Sequence, residues 1–292
     1  MAQRTRVSLH RFSPAMIAWG SACVVLATVL VIVLVAVTRG TTQLKVPTGA
    51  LGVSEAVAAK VTTVPASVLD QVGIGGNAAS SNPATNAVNV VARSGGSLPP
   101  VDGKPAFFYY GAEWCPYCAT ERWSIVVALS RFGAFQELSG GSSSPTDAYP
   151  NTQTFTFHGT TYTSPYVTFL GVEAENTQQL PLDRPNAVEN RVLTVWDRLL
   201  EFPFVDIGGR YIGGLPAWGN PQLLGGLTRS EIAQMLWEPA SPVGSMIDAN
   251  ANYLTAAICA VDGDRPDQVC RSTGVQAAAK QLKSLPKAVP IT

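Results

Sequence analysis

Two cysteines, Cys115 and Cys118, stand two residues apart where the chain changes its hydrophobic period. Before them runs Ala106-Phe107-Phe108-Tyr109-Tyr110, an aromatic segment of strand type bounded by Pro105 and Gly111. After them, residues 119–132 (ATERWSIVVALSRF) read as a helix that Gly133 closes. The local order is strand, Cys-Pro-Tyr-Cys, helix. Cys115 falls at the helix N-terminus, where unpaired N–H groups and the macrodipole favour an anion. Its pKa should fall and its thiolate fraction rise. The spacing lets Cys118 attack a mixed disulfide formed on Cys115 and release the partner. Pro116 suits the first helical turn, where its missing N–H is harmless.

Two other readings compete for the motif. A Cys-x-x-Cys can be half of a zinc site, which needs a second cysteine pair or His ligands at usable spacing. Cys259 and Cys270 lie far along the chain with ten residues between them, and the two histidines are His10 and His158. A purely structural disulfide would close a tiny loop and stabilise little. Thiol–disulfide exchange suits the residues better, and no metal ligand is assigned.

The N-terminus bears on location. Residues 15–37 (AMIAWGSACVVLATVLVIVLVAV) carry no charge. At ~1.5 Å per residue the run is long enough for a hydrocarbon core of about 30 Å. A cleaved signal peptide has a shorter apolar region and a small-residue cleavage site, which Val35-Ala36-Val37-Thr38 supplies poorly. A retained single-pass anchor is expected, with Cys23 as a small apolar residue within it. Arg4, Arg6, Arg11 and the free amine precede the run, while Arg39 and Lys45 follow it. The excess places residues 1–14 in the cytoplasm and the rest outside the cell membrane. Four of the five cysteines then form two extracytoplasmic pairs, as an oxidising compartment favours. Formal net charge is zero and 14% of residues are charged, which leaves no basic footprint for nucleic acid.

Residues 38–100 are rich in Gly, Ser, Ala, Asn and Pro and read as an extracytoplasmic flexible tether, with one helical turn at residues 64–72 docking on the domain. Order is expected from residue 101 to 292. Residues 139–150 read as a loop. The Thr/aromatic stretches at 152–172 suggest a hairpin turning near His158-Gly159, with His158 capping the turn. Asn186 with Glu189, and Thr228 with Glu231, are capping boxes that start helices. Between those helices, residues 202–207 read as a strand, turned by Gly208-Gly209. Two helical stretches, about 245–260 and 273–285, close the chain before Pro286. Cys259 and Cys270 flank a turn-rich loop and are read as a structural disulfide. Two buried free thiols, or a relay to Cys115, are the alternatives.

Ala112-Glu113-Trp114-Cys115-Pro116-Tyr117-Cys118 resembles the active site of the thioredoxin superfamily, and its Pro-Tyr pair is that of glutaredoxins. Phe202-Pro203, followed by strand, Gly-Gly turn, strand and Gly213-Gly214, resembles that superfamily's cis-proline segment. The resemblance implies that Pro203 lies beside Cys115 and positions substrate. Residues 103–135 are also similar to a family of prokaryotic membrane-anchored proteins known as domain of unknown function 929, a likeness running from about Val64 to the C-terminus. It implies fold and topology more than substrate.

The implied fold is α/β and thioredoxin-like: a central mixed sheet flanked by helices. To it are added an insertion at about 139–185, a C-terminal helical extension at 240–292 and one N-terminal transmembrane helix. Trp114, Tyr117, Phe202 and Trp123 are candidates for an apolar platform around the sulfurs, with Trp123 equally suited to the core. The sequence departs from the superfamily where many members carry a buried Asp six residues before the first cysteine, for Tyr109 stands there. Glu113 or Glu121 could supply a carboxylate, but each fits a solvated charge better. Peroxidases of this superfamily place Thr where Ala112 stands.

The expected function is thiol–disulfide exchange outside the cytoplasm, with Cys115 attacking and Cys118 resolving. Partners are protein thiols or disulfides and a redox partner; the reading calls for no cofactor. The rival is a non-enzymatic module of the same fold that binds a protein or a soft metal through its thiolates.

Overall fold

In this computed structural model, residues 53–75, 91–92, 98–213 and 219–284 are described. The expected membrane span, Cys23, most of the Gly/Ser-rich stretch before residue 98, Gly214 and Pro286 lie outside them. Among the described residues no helix is long and apolar enough to cross a membrane.

The architecture is mixed α/β, a mixed sheet flanked by helices. Its strand β2 (Ala106–Gly111), second from one edge of the sheet, is buried along its whole length. It pairs in parallel with β7 (Thr168–Glu173), from Ala106 opposite Thr168 to Gly111 opposite Glu173. On its other side it pairs antiparallel with β8 (Phe204–Ile207). A turn at Gly208 and Gly209, both at positive φ, returns β8 as β9 (Tyr211–Gly213), and β1 (Val91–Ala92) pairs with β9. The order is β1-β9-β8-β2-β7. Alternation along β2 sends Phe107 and Tyr109 into one core and Phe108 and Tyr110 into another. Both faces are covered, which is why the strand reads as a continuous aromatic run rather than an alternating one.

Helix α3 (Pro116–Ser130) follows the cysteine motif and is buried almost all round, as a helix enclosed by other elements must be. Three helices precede or follow it at a distance in sequence: α1 (Glu55–Thr62), α2 (Ala66–Val72) and α4 (Ala187–Trp196). The C-terminal part holds α5 (Arg229–Met235), α6 (Pro242–Asp262), α7 (Asp267–Cys270) and α8 (Thr273–Leu282). The capping boxes at Asn186 and Thr228 are both formed. Ser124 on α3 donates to the Ile247 carbonyl of α6 at 3.1 Å.

Three expectations about organisation need correction. The stretch read as a tether holds two helices, not one turn. Val57 and Val61 recur at helical spacing on α1, Leu69 lies on α2, and all three are buried in the main core. The Asn252 amide of α6 donates to the Leu69 and Gly73 carbonyls, both at 2.8 Å, and fixes the end of α2. The Gly/Pro-rich flanks masked these apolar positions. Second, no hairpin turns at His158-Gly159. β3 (Ala134–Gln136) pairs with β6 (Thr161–Thr163), and β4 (Ser139–Ser142) with β5 (Gln153–Thr156). The four strands make one long bent ribbon whose tip is residues 143–152, and residues 158–159 fall at a kink in its returning arm. His158 caps no hairpin; its Nδ1 lies 2.8 Å from Asp183 Oδ1. Third, β7 lies inside the expected insertion but belongs to the central sheet. Its parallel partner is some 60 residues away, and no local pattern announces such a pairing.

Cys259, near the end of α6, is disulfide-bonded to Cys270 of α7, with a Cα–Cα distance of 5.7 Å. Gly263 ends α6 in the left-handed conformation at φ 83°. The bridge spans a sequence separation of 11, for which loop entropy gives ~3 kcal/mol. Replacing both cysteines by serine should therefore lower denaturant-measured stability by about that amount.

Candidate functional site

Cys115 is the N-cap of α3, with extended backbone at φ −77° and ψ 123°. Its Sγ accepts the Cys118 amide hydrogen at 3.3 Å, taking the place a serine or aspartate oxygen often fills. Pro116 opens the helix without losing a donor. The Cys115 thiol also reaches the Phe202 carbonyl at 3.8 Å. The Phe202–Pro203 peptide is cis, and it immediately precedes β8, the antiparallel neighbour of the strand that delivers Cys115.

The side chains expected around the sulfurs come together. Trp114, Tyr117 and Phe202 pack against the buried group formed by Ala112, Cys115 and Cys118. Phe202 meets Trp114 edge-on at 5.9 Å and Tyr110 at 5.1 Å. Trp114 Nε1 donates to Glu175 Oε2 at 2.7 Å, which fixes the indole. Tyr117 packs edge-on against Tyr149 at the ribbon tip, 6.1 Å away. Trp123 is not part of this platform: it is wholly buried, meets Phe155 edge-on at 4.5 Å and donates to the Gln153 carbonyl. Cys259 and Cys270 sit at the α6–α7–α8 corner, and neither lines the groove at Cys115.

Both active-motif cysteines are free and buried, but their environments differ. The Cys118 thiol hydrogen-bonds Cys115 and lowers its pKa, against the effect of burial; the Cys118 and Tyr117 amides and the Arg122 charge add to the lowering. Burial first, then the neighbouring Cys115, push the Cys118 thiol well above its usual value. The two sulfurs are thus biased in opposite directions, Cys115 toward thiolate and Cys118 toward thiol.

Beneath the pair lies a charged cluster that sequence reading missed. Arg122, one helical turn beyond Cys118, is completely buried. Its Nε and Nη2 donate to the two Glu173 carboxylate oxygens at 2.8 and 2.6 Å, and Nη2 also donates to the Ala112 carbonyl at 2.8 Å. Nη1 has no hydrogen-bond partner, nor does the Tyr109 hydroxyl. The guanidinium stands 5.8 Å from the Tyr109 ring centre. The available signal was Arg122 itself, a charge four residues after Cys118 and so on the same face of the helix.

The two carboxylates considered as substitutes for the missing Asp behave differently. Glu113 accepts from the Thr156 hydroxyl at 2.6 Å. Glu121, expected in solvent, is fully buried with neither oxygen hydrogen-bonded, and burial holds its pKa well above the carboxylate range. Burial without a partner favours its neutral form. A groove of about 390 Å³ opens at Cys115, walled by Trp114, Tyr117, Phe202, Leu199 and Leu200. Among the described residues no group of three His, Cys, Asp or Glu side chains is placed to hold a metal ion.

The lowered Cys115 pKa sets the direction of a pH test. Alkylation of Cys115 should persist as pH falls below the ordinary thiol range and be lost as pH drops through its depressed pKa. Arg122→Met removes one cause of the lowering and should move that midpoint upward. The same variant leaves Glu173 buried without its partner, which should cost ~3–5 kcal/mol in unfolding measurements.

Residues 99–195 match a family model described as Domain of unknown function (DUF929). The match takes in β2, both motif cysteines, Arg122 and Glu173, and ends before Phe202 and Pro203. No curated protein and no solved structure matches the chain. Over about a third of its length, this chain is similar to that family.

Proposed function

We propose that this chain is a thiol–disulfide oxidoreductase with a thioredoxin-like fold, anchored in the membrane by residues 15–37 and working on its outer face. The observation that carries the reading is the asymmetry of the sulfurs. Cys115 caps a helix N-terminus with a lowered pKa, while Cys118 waits behind it, buried and protonated. That division is what nucleophile and resolving thiol need. The thioredoxin-like assignment is supported by the sheet order β9-β8-β2-β7, by α3 leaving β2 through the motif, and by a cis-proline in front of β8. Location outside the cytoplasm is supported by the apolar run, its flanking charges and the Cys259–Cys270 bridge.

In the reductive direction the Cys115 thiolate attacks a substrate disulfide. The substrate S–S bond breaks and one substrate sulfur leaves as thiolate. Cys118 then loses its proton and attacks Cys115 Sγ, which frees the second substrate sulfur. Two electrons pass from the cysteine pair to the substrate, and the pair ends as a disulfide. Run backwards, the same steps oxidise a substrate dithiol. Protein thiols or disulfides are the substrates, and a separate redox partner resets the pair. Phe202, Pro203, Trp114 and Tyr117 position the substrate sulfur.

The 292-residue chain in detergent, equilibrated with 2-mercaptoethanol and its disulfide, gives the reduction potential of the Cys115–Cys118 pair. A value near about −120 to −180 mV marks an oxidant or isomerase, and one near about −270 mV marks a reductase. Cys115→Ser should abolish exchange. Exchange retained in that variant, or a wild-type pair that never exchanges, sinks the assignment and leaves the non-enzymatic binding module in its place.

A further inference from the structure

The groove at Cys115 has an unusual wall. Leu199 and Leu200 stand side by side, 79% and 47% exposed. Apolar surface left open like this is unfavourable until something covers it. Leu200 is also held at φ 53°, a region that non-glycine residues seldom adopt. The loop is fixed there by two hydrogen bonds to Asp197, from the Leu200 amide to its carbonyl and from the Glu201 amide to Oδ1, each 2.9 Å. The leucines are thus presented before any ligand arrives, which spares the ordering cost of binding.

Charge distinguishes the rim. Asp147 and Glu201 line the groove, and among the described residues no Lys or Arg does. Arg198 precedes Leu199 in the chain but is not part of the lining. At the inner end stands the Cys115 sulfur, so an occupant that engages it must bring sulfur of its own.

Resting on the oxidoreductase reading, we propose that this groove selects a polypeptide segment whose reactive cysteine is flanked by a large apolar side chain and by a lysine or arginine. The apolar side chain covers Leu199 and Leu200. The cation meets Asp147 and Glu201. Glutathione, an anionic and weakly apolar thiol, satisfies neither demand. In the capture step the Cys115 thiolate attacks one sulfur of the segment's disulfide. That S–S bond breaks, an S–S bond to Cys115 Sγ forms, and the departing sulfur keeps the electron pair and takes a proton from water.

The full-length Cys118→Ser variant cannot resolve this adduct, so its formation can be timed by mass. It is offered disulfide-linked peptide dimers carrying Leu-Cys-Lys, Leu-Cys-Glu, Ser-Cys-Lys or Ser-Cys-Glu, with 2-hydroxyethyl disulfide as the uncharged reference. The Leu-Cys-Lys dimer should react roughly tenfold faster than the Ser-Cys-Glu dimer. The preference for Lys over Glu should shrink as salt screens the exposed charges. Adding Asp147→Lys with Glu201→Lys should invert it. Equal rates for the four dimers, or a Lys preference that survives the charge reversal, overturns the proposal and leaves the oxidoreductase reading intact. Failure of Cys115 to react even with 2-hydroxyethyl disulfide overturns both.

Discussion

The bidentate contact between Arg122 and Glu173 joins the parts on which the site depends. Glu173 is the last residue of β7, directly opposite Gly111 at the end of β2. Arg122 rides on α3 and also holds the Ala112 carbonyl, three residues before Cys115. One guanidinium therefore fixes strand end, motif loop and helix to each other. Burying both charges costs several kcal/mol in desolvation, so an apolar substitute of the same shape could match it in stability. What the pair supplies is position and a permanent positive charge under the sulfurs. The Phe157 amide donates to Glu173 as well, which draws the returning arm of the ribbon into the same junction.

This junction bears on the missing aspartate. Tyr109 fills the position where the superfamily resemblance leads one to expect a buried acid, and its hydroxyl has no hydrogen-bond partner. No carboxylate thereby stands ready at that place to take the Cys118 proton. The Arg122 charge lowers the pKa of Cys118 and partly offsets the burial that raises it. A cation that stabilises the thiolate and a base that removes the proton are different solutions. The first shifts the equilibrium toward thiolate without offering a proton acceptor, so in the proposed exchange deprotonation of Cys118 falls to solvent or to the departing substrate thiolate. Glu121, buried without a hydrogen-bond partner, is pushed toward its protonated form, in which it accepts no proton.

Much of the site was legible in the sequence because its determinants are local. A cysteine before Pro116 at the start of a helix is an N-cap whatever surrounds it, and Asn186 with Glu189 closes its capping box within three residues. Phe202 and Pro203 were legible through resemblance, since nothing in an X-Pro pair alone selects the cis form. What escaped was non-local. β7 finds β2 across the whole ribbon, while β6 finds β3 on the far side of β4 and β5, and Thr-rich segments give no register for such pairings. Arg122 and Glu173 are 51 residues apart, so their charges read as surface residues until the fold buries them together. Helix α1 escaped because two buried valines, seated among alanines, do not outweigh a Gly/Pro-rich neighbourhood.

The two cysteine pairs sit in different backbone contexts, and only one of them is bridged. Cys259 and Cys270 are joined between the end of a 21-residue helix and the short helix that follows, in a corner closed by α8. Both sulfurs are buried and neither lines the groove at Cys115. Cys115 and Cys118 are separated by a single turn of one helix. Oxidation there closes a shorter loop, so by chain entropy the bond stabilises the fold by about 1 kcal/mol less than the longer-range bridge does. What governs the pair is instead the stability of its reduced form, which the helix N-terminus and the Arg122 charge favour through the thiolate. The proposed exchange would use this division: a disulfide that adds little to the fold, over a thiolate that the helix N-terminus supports, could be made and broken while the Cys259–Cys270 bridge stays closed.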